Sequence, residues 1–146
     1  MDLILDTHTH TIASGHAYNT INEMARSAAD KGLKLLAITD HAPAMPGSSS
    51  YMYFLNFRAL KREKYGIKLL FGAELNIINT DGGLDLEEHI LKGLDIGIAS
   101  IHPPCYKEAT AEQNLNAYIK AMENPYVDII GHPDDGRFPV DMEKLV

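Results

Sequence analysis

The sequence lacks the features of a secreted protein, of a membrane-spanning protein and of a general nucleic-acid-binding protein. Cys105 is the only cysteine, so no disulfide can form within the chain. No apolar run reaches the roughly eighteen residues that a spanning helix requires. Lys and Arg number 13 against 20 Asp and Glu, and this net charge of −7 argues against a general DNA or RNA binder. The segment Met1–Asp6 carries acids where a leader peptide would carry bases. We therefore expect a cytoplasmic protein without membrane contact.

The residue pattern predicts one α/β domain over residues 1–146. A hydrophobic fraction of 45% and this length are both ordinary for a single folded domain. Short apolar runs alternate with amphipathic stretches, and this order predicts a mainly parallel sheet or barrel. The predicted strands are 3–6, 35–39, 67–74, 96–101 and 127–131. The predicted helices are 20–32, 51–65, 86–94, 110–123 and one after residue 139, with a hairpin excursion at 75–86.

Histidine is the most informative residue type. Six of the seven histidines lie at or just after predicted strands, whereas His89 lies within a predicted helix and is interpreted as solvent-exposed. Glu74 ends the third strand. Because the carboxyl ends of parallel strands meet at one face of the fold, we expect these side chains to converge. The predicted cluster comprises His8, His10, His16, His41, Glu74, His102 and His132.

This cluster has the composition of a catalytic metal site. Imidazole nitrogens suit zinc and other first-row metals, and a carboxylate can bridge two ions. No thiolate belongs to the set, which weighs against a closed structural zinc site. His8 and His10, two apart on a strand, point to the same side and can bind one ion together. Asp6 and Asp40 flank these histidines, and either fix an imidazole tautomer or are ordinary strand-end residues.

Other charged residues receive structural interpretations. Asp134 and Asp135 are interpreted as turn residues, and the acids in Asp85–Glu88 are interpreted as capping a helix start. Arg58 and Lys61 are interpreted as helix-surface charges rather than phosphate contacts.

Five ordered motifs span the chain. They are Asp-Thr-His-Thr-His-Thr at 6–11, continued by Ala-Ser-Gly-His-Ala-Tyr at 13–18; Ala-Ile-Thr-Asp-His at 37–41; Gly-Ala-Glu-Leu-Asn-Ile at 72–77, followed by Asp81-Gly82; Ala-Ser-Ile-His at 99–102; and Ile-Gly-His-Pro at 130–133. The set resembles the PHP (polymerase and histidinol phosphatase) superfamily, most closely its small stand-alone trinuclear zinc phosphatases.

The resemblance implies an incomplete, distorted TIM-like (β/α)7 barrel with about five of its seven strands present, and up to three zinc ions at its C-terminal face. Manganese or iron would also suit such ligands. Carried over residue by residue, His8 and His10 hold one ion, and Glu74 bridges it to a second. His102 and His132 complete the second ion's protein ligands, and His16 and His41 hold a third.

One departure from the family is large. The family has a late Asp-x-His motif that supplies one further ligand to the first ion and one to the third, and Asp141-Met142 does not match it. We therefore expect a truncated, proteolysed or prematurely ended chain. An unclosed barrel exposes a strand edge and apolar surface, so we also expect a homo-oligomer if the chain is stable alone.

The implied activity is hydrolysis of a small phosphorylated substrate by a metal-bound water. The resemblance assigns this chemistry to His8, His10, Glu74, His102 and His132. Two alternatives stay open. One is an amidohydrolase-like enzyme that cleaves a C–N bond, and the other is a catalytically inert metal-binding fragment or regulatory module.

Overall fold

A computed structural model describes residues 3–146 of the chain. Met1 and Asp2, part of the segment that argued against a leader peptide, lie outside the described residues. The helices are α1 (Ile21–Asp30), α2 (Tyr51–Leu55), α3 (Glu88–Leu91), α4 (Ala111–Met122) and α5 (Met142–Leu145). The strands are β1 (Leu5–Asp6), β2 (Leu35–Ile38), β3 (Glu63–Lys64), β4 (Ile67–Phe71), β5 (Ala73–Asn76), β6 (Gly97–Ser100) and β7 (Ile129–Ile130).

The parallel strands lie side by side in chain order. β1 pairs with β2 and β2 with β4, while β5 pairs with β6 and β6 with β7, all in parallel. β4 and β5 are successive halves of one extended segment that is interrupted at Gly72. A Cβ atom there would lie 2.0 Å from the Ile96 carbonyl oxygen, so only glycine allows this close approach. A parallel bridge between His41 and Glu74 links the end of β2 to β5. This arrangement is a mixed α/β fold with parallel sheets, and closure into a TIM-like barrel stays a prediction.

Two of the longer helices begin with capping boxes. The Thr20 side chain accepts a hydrogen bond from the Glu23 backbone N–H, and Glu23 accepts one from the Thr20 N–H. Thr110 and Gln113 make the same reciprocal pair at the start of α4. Each pair satisfies two N–H groups that a helix start leaves without partners. The helix beginning predicted after Asn19 is confirmed.

The predicted second helix, 51–65, is wrong beyond its first turns. α2 ends at Leu55, a 3-10 turn follows over Asn56–Ala59, and β3 then pairs antiparallel with β4. Tyr65 and Gly66 connect these two strands and both have positive φ angles, 51° and 80°. Two central residues with positive φ are the mark of a tight type I′ hairpin turn. The Lys- and Glu-rich sequence before this turn favours helix locally, but pairing with β4 decides the structure.

Two clusters of buried apolar side chains pack beside the sheet. One includes Leu36, Ile38 and the aromatic rings of Phe54, Phe57 and Phe71. The other packs α4 against β6 and its flanking residues, and Tyr118 is its largest fully buried side chain. Both clusters hold in place the strands whose carboxyl ends carry the histidines. Within residues 3–146, no helix has the length and apolar character needed to cross a bilayer.

Candidate metal centre

All seven predicted site residues line one cavity of about 770 Å³. His8 and His10 follow β1, His41 follows β2, and Glu74 lies within β5. His102 follows β6 and His132 follows β7. Four parallel strand pairings in two sheets, which the His41–Glu74 bridge joins, therefore bring residues from five separate parts of the sequence to one cavity. The remaining histidine, His89, lies in α3 with its side chain 60% exposed and beside Glu87, as its sequence context predicted.

Glu74 lies at the centre of the cavity floor, and its side chain is 1% exposed. Its Oε2 atom lies 3.2 Å from His8 Nε2, 3.3 Å from His10 Nε2 and 2.9 Å from His41 Nδ1. Its Oε1 atom lies 3.2 Å from His102 Nε2 and 2.8 Å from both His132 Nε2 and Ser100 Oγ. One buried carboxylate thus contacts five imidazoles and a hydroxyl.

The imidazole rings form a continuous wall around this carboxylate. Neighbouring ring centroids are 4.6 Å apart for His10 and His41, 4.7 Å for His41 and His102, and 5.3 Å for His102 and His132. His16 is exposed at the outer edge, 4.8 Å from the His41 ring. Within residues 3–146, the His16 ring contacts the His10 and His41 rings and makes no recorded contact with Glu74.

Two compact sets of ligand-type atoms share Glu74. One contains His8, Glu74 and His132, and the other contains His10, His41 and Glu74. Within each set the candidate ligand atoms lie within 4.8 Å of one another. This grouping separates His8 from His10, whereas the sequence prediction paired them on one ion. The assignment of each residue to a particular ion therefore stays a proposal.

The electrostatics of the cluster follow from burial and from Glu74. Burial acts to raise the pKa of Glu74, but its close contacts with the surrounding histidines hold that pKa well below its ordinary value. Burial lowers the pKa of His41, despite the nearby carboxylate. The hydrogen bond to Glu74 raises the pKa of His132. At neutral pH the floor carries an ionised carboxylate, and the buried His41 ring favours its neutral, metal-binding form.

The two aspartates proposed to fix imidazole tautomers bond elsewhere. Asp6 Oδ1 accepts from the His8 backbone N–H at 3.1 Å. Asp40 accepts from the Thr11 N–H and hydroxyl, the Ser14 hydroxyl and the Tyr53 hydroxyl, at 2.6–2.8 Å. Within the described residues neither carboxylate bonds an imidazole directly. Asp40 reaches His10 only through Ser14, whose Oγ lies 2.9 Å from His10 Nδ1.

Sequence reasoning missed a second polar chain beside the site. Asn76 Oδ1 lies 2.8 Å from His102 Nδ1, and Asp85 accepts from both the backbone and side-chain nitrogens of Asn76. Asp85 also accepts from the Ala44 N–H at 2.8 Å, so it ties the loop after β2 to β5. Of the acids 85–88 predicted to cap a helix start, Glu87 is the N-cap of α3 and Glu88 lies in its first turn, whereas Asp85 bonds Asn76 and Ala44. Burial raises the pKa of Asp85.

Arg137 is a cavity residue that the sequence interpretation overlooked. It lines the cavity together with Asp134 and Asp135, which sequence reasoning treated as turn residues only. Arg137 lies 2.6 Å from Asp135 and holds the pKa of that carboxyl at about 2. Neither Arg58 nor Lys61 lines this cavity. The position of Arg137, five residues after His132 in the loop following β7, could have identified it.

The backbone at β7 is fitted closely to the site. His132 has φ 30°, a positive value that costs a residue with a side chain about 1–3 kcal/mol. A Cβ atom at the preceding Gly131 would lie 2.3 Å from Ser100 Oγ, the hydroxyl that donates to Glu74. Strain of this kind persists where the surrounding structure enforces it, and it is concentrated at functional sites.

The donor set fits a metal. His41 Nδ1 is buried and lies 2.9 Å from Glu74 Oε2, yet it makes no hydrogen bond with any atom of residues 3–146. An imidazole nitrogen that faces a buried carboxylate without donating to it fits the role of a ligand to a shared cation. The set contains imidazole and carboxylate groups and no thiolate, which matches a metal site with positions left open for water or substrate.

The chain is similar in sequence to curated proteins named probable phosphatase. The chain is 52% identical to a probable phosphatase of Thermoanaerobacter sp. (strain X514), over 100% of this chain and 60% of that relative. It is 49% identical to a probable phosphatase of Clostridium novyi, over 100% and 60% of the two chains. A probable phosphatase of Caldanaerobacter subterraneus is 51% identical over 99% and 57%. The chain thus spans about 60% of the length of these curated relatives. The sequence profile of the PHP domain matches residues 6–145, and the chain belongs to the PHP domain family.

Proposed function

We propose that this chain carries the metal-binding centre of a phosphoester hydrolase that acts on a small phosphorylated substrate. The observation that supports the proposal most directly is the convergence of five imidazole nitrogens, 2.8–3.3 Å away, on one buried carboxylate. The relatives named probable phosphatase support the same reaction class. Because the chain spans about 60% of their length, turnover by this chain alone is part of the proposal.

The proposed metal ligands are the seven side chains that the sequence predicted. His8, Glu74 and His132 form one set, and His10, His41 and Glu74 form another. His102, beside Glu74 Oε1, and the exposed His16 would add further ligands. Bound divalent ions of zinc, manganese or iron would supply an activated water at neutral pH and stabilise charge on a phosphoryl group. Glu74 keeps its negative charge here because the histidines around it favour the ionised form.

The cavity favours a small anionic substrate. Its volume of about 770 Å³ lies within the range of small-molecule sites. Arg137 is its one permanently cationic lining residue among those described. A guanidinium can bind two phosphate oxygens at once. We assign Arg137 the role of orienting the phosphoryl group. This role requires the Arg137 side chain to leave its ion pair with Asp135 and to bind the substrate instead.

Steady-state hydrolysis of p-nitrophenyl phosphate with added Zn²⁺ or Mn²⁺ tests the proposal. We expect metal-dependent turnover that Glu74→Gln abolishes and that His89→Ala, a histidine outside the cavity, leaves unchanged. Elemental analysis of the same samples measures bound metal. Protein that holds two or more ions and hydrolyses no phosphoester would contradict the proposal and favour an inert metal-binding fragment. Turnover of cyclic amides instead would favour the C–N hydrolase alternative.

Two sequence predictions stay predictions. The proposed homo-oligomer is supported by β1, which within the described chain has a strand partner on one side, and by exposed Leu3 and Ile4 beside it. Sedimentation velocity on the purified chain tests it, and a monomer at all concentrations would contradict it. The cytoplasmic location is tested by fractionating cells that express the full-length gene.

A further inference from the structure

We propose that two buried polar chains, Asp40–Ser14 and Asp85–Asn76, fix His10 and His102 in the same tautomer. In this tautomer Nδ1 carries the proton and Nε2 presents its lone pair to the metal centre. Ser14, Asn76 and Asp85 are then positioning residues that act through the histidines. The inference rests on the proposed metal centre but not on the reaction that it catalyses.

The argument for His10 follows from the single hydrogen of Ser14. A serine hydroxyl has one hydrogen to donate and can accept two. Ser14 Oγ lies 2.7 Å from Asp40 Oδ1, and a carboxylate that already accepts from Thr11 and Tyr53 can only accept here. The hydroxyl hydrogen therefore points to Asp40. Ser14 Oγ accepts from the His41 backbone N–H at 3.0 Å and must accept from His10 Nδ1 at 2.9 Å.

The argument for His102 follows from the two amide hydrogens of Asn76. The Asn76 Nδ2 group donates to the Ala42 carbonyl at 3.1 Å and to Asp85 Oδ2 at 2.6 Å. Both hydrogens are used, so the atom that faces His102 Nδ1 at 2.8 Å is the Asn76 carbonyl oxygen. This oxygen can only accept, and His102 Nδ1 must carry the proton. Asp85 therefore sets the orientation of the Asn76 amide.

Both chains have the same consequence at the cavity floor. With Nδ1 protonated, the Nε2 atoms of His10 and His102 face Glu74 Oε2 and Oε1 as lone pairs, at 3.3 and 3.2 Å. A lone pair facing an ionised carboxylate is unfavourable unless a cation lies between them or the ring is doubly protonated. The two chains thus prepare His10 and His102 as ligands before metal arrives. Outer partners of this kind change metal affinity by about 10–100-fold when removed.

Two variants separate the chains. Ser14→Ala removes the acceptor of His10 but leaves Asp40 three donors, from Thr11 and Tyr53, so the fold should be retained. Asp85→Asn replaces one acceptor oxygen by an amide, which favours rotation of the Asn76 side chain. That rotation would turn the Asn76 NH₂ group towards His102 Nδ1 and move the ring proton to Nε2. Ser27→Ala on the exposed face of α1 and Asp81→Asn in the exposed turn are the matched controls.

The tautomers are measured directly by ¹⁵N–¹H NMR of the histidine rings in metal-free protein. At about pH 9, above the ordinary histidine pKa of roughly 6.5, neutral rings report which nitrogen holds the proton. We expect Nδ1–H for both His10 and His102 in the unmodified protein. Ser14→Ala should allow His10 to populate both tautomers without changing the tautomer of His102. Asp85→Asn should move the His102 proton to Nε2 without changing the tautomer of His10. Competition titration with a zinc chelator should show about 10–100-fold weaker binding for both variants and unchanged binding for the controls.

The unmodified protein alone can overturn the inference. A proton on Nε2 of either histidine would contradict the role proposed for the polar chain that contacts that histidine, whatever the variants show. Folded variants that leave both tautomers unchanged would show that the two chains are structural only. These readouts use no substrate, so a failed phosphatase assay with Nδ1–H at both rings would reject the proposed function and leave this inference standing.

Discussion

Replacement of Gly131 by alanine tests how closely the sheet is fitted beneath Glu74. Gly131 follows β7, and an added Cβ would lie 2.3 Å from Ser100 Oγ and 3.1 Å from Ile98 Cγ2. The Ser100 side chain can relieve the shorter contact only by rotating its hydroxyl away. Because that hydroxyl donates to Glu74 Oε1 at 2.8 Å, rotation removes a hydrogen bond to a buried charged group.

The expected change in stability follows from two opposing terms. Loss of a hydrogen bond to a charged group costs about 1.5–3 kcal/mol. Glycine to alanine at a site without positive φ stabilises by about 0.4–1 kcal/mol, because the unfolded chain loses freedom. The net expectation is a loss of roughly 1–2 kcal/mol, since Glu74 retains its histidine contacts. With a urea slope of about 1–3 kcal/mol per molar, the midpoint should fall by roughly 0.3–2 M.

Urea unfolding of metal-free protein, followed by circular dichroism, measures this shift. Gly136→Ala is the matched control, because a Cβ atom there meets nothing within 4 Å and Gly136 lies in the same loop. The control should be neutral or slightly stabilised. If Gly131→Ala unfolds at the same urea concentration as Gly136→Ala, then Ser100 is not held against Glu74 by this packing, and the reasoning is refuted.

Three further outcomes are expected. Glu74→Gln should lose most bound zinc by elemental analysis, because Glu74 belongs to both compact ligand sets, and a folded variant with full zinc content would argue against that role. Arg137→Gln should raise the KM for p-nitrophenyl phosphate about 10–100-fold with kcat changed far less, as expected from loss of a charged hydrogen bond of about 1.5–3 kcal/mol. Lys144→Gln, which removes an exposed cation paired with Asp141, is its control, and equal KM values would exclude Arg137 from substrate binding. His89→Ala should leave zinc content unchanged, and a loss of zinc would show that the cavity histidines are not the complete set.

The parts of the fold that could be predicted from sequence depend on local or periodic rules. Thr20 and Glu23 indicate the start of α1, because a capping box is formed by two residues that are three positions apart in the sequence. The cavity could be anticipated because every parallel strand directs its carboxyl end to the same face, so residues following strands converge whatever the details of pairing. His8 and His132 illustrate this rule, since they are far apart in sequence and their rings lie 5.8 Å apart.

The parts that could not be predicted depend on contacts between distant residues. Nothing near Glu63 indicates a strand, because β3 forms only by pairing with β4 across the Tyr65-Gly66 turn. Asp85 lies nine residues from Asn76, and its role depends on their meeting across the hairpin excursion. The sequence argument assigned Asp85 to a helix start because acids are favoured there, and that rule uses only neighbours along the chain.

Three departures from ordinary protein structure lie together around the Glu74 side chain. They are a buried carboxylate that contacts five imidazoles, a buried imidazole nitrogen without a hydrogen bond to residues 3–146, and a positive φ at His132. The last two features each oppose stability. All three lie around the Glu74 side chain, whereas the apolar clusters and capping boxes elsewhere obey the usual rules. Unfavourable features that lie together in one cavity are expected where a functional site requires them. A cation bound among these ligands would neutralise the Glu74 charge and coordinate the unbonded His41 nitrogen. Binding of the metal should therefore raise the free energy of unfolding.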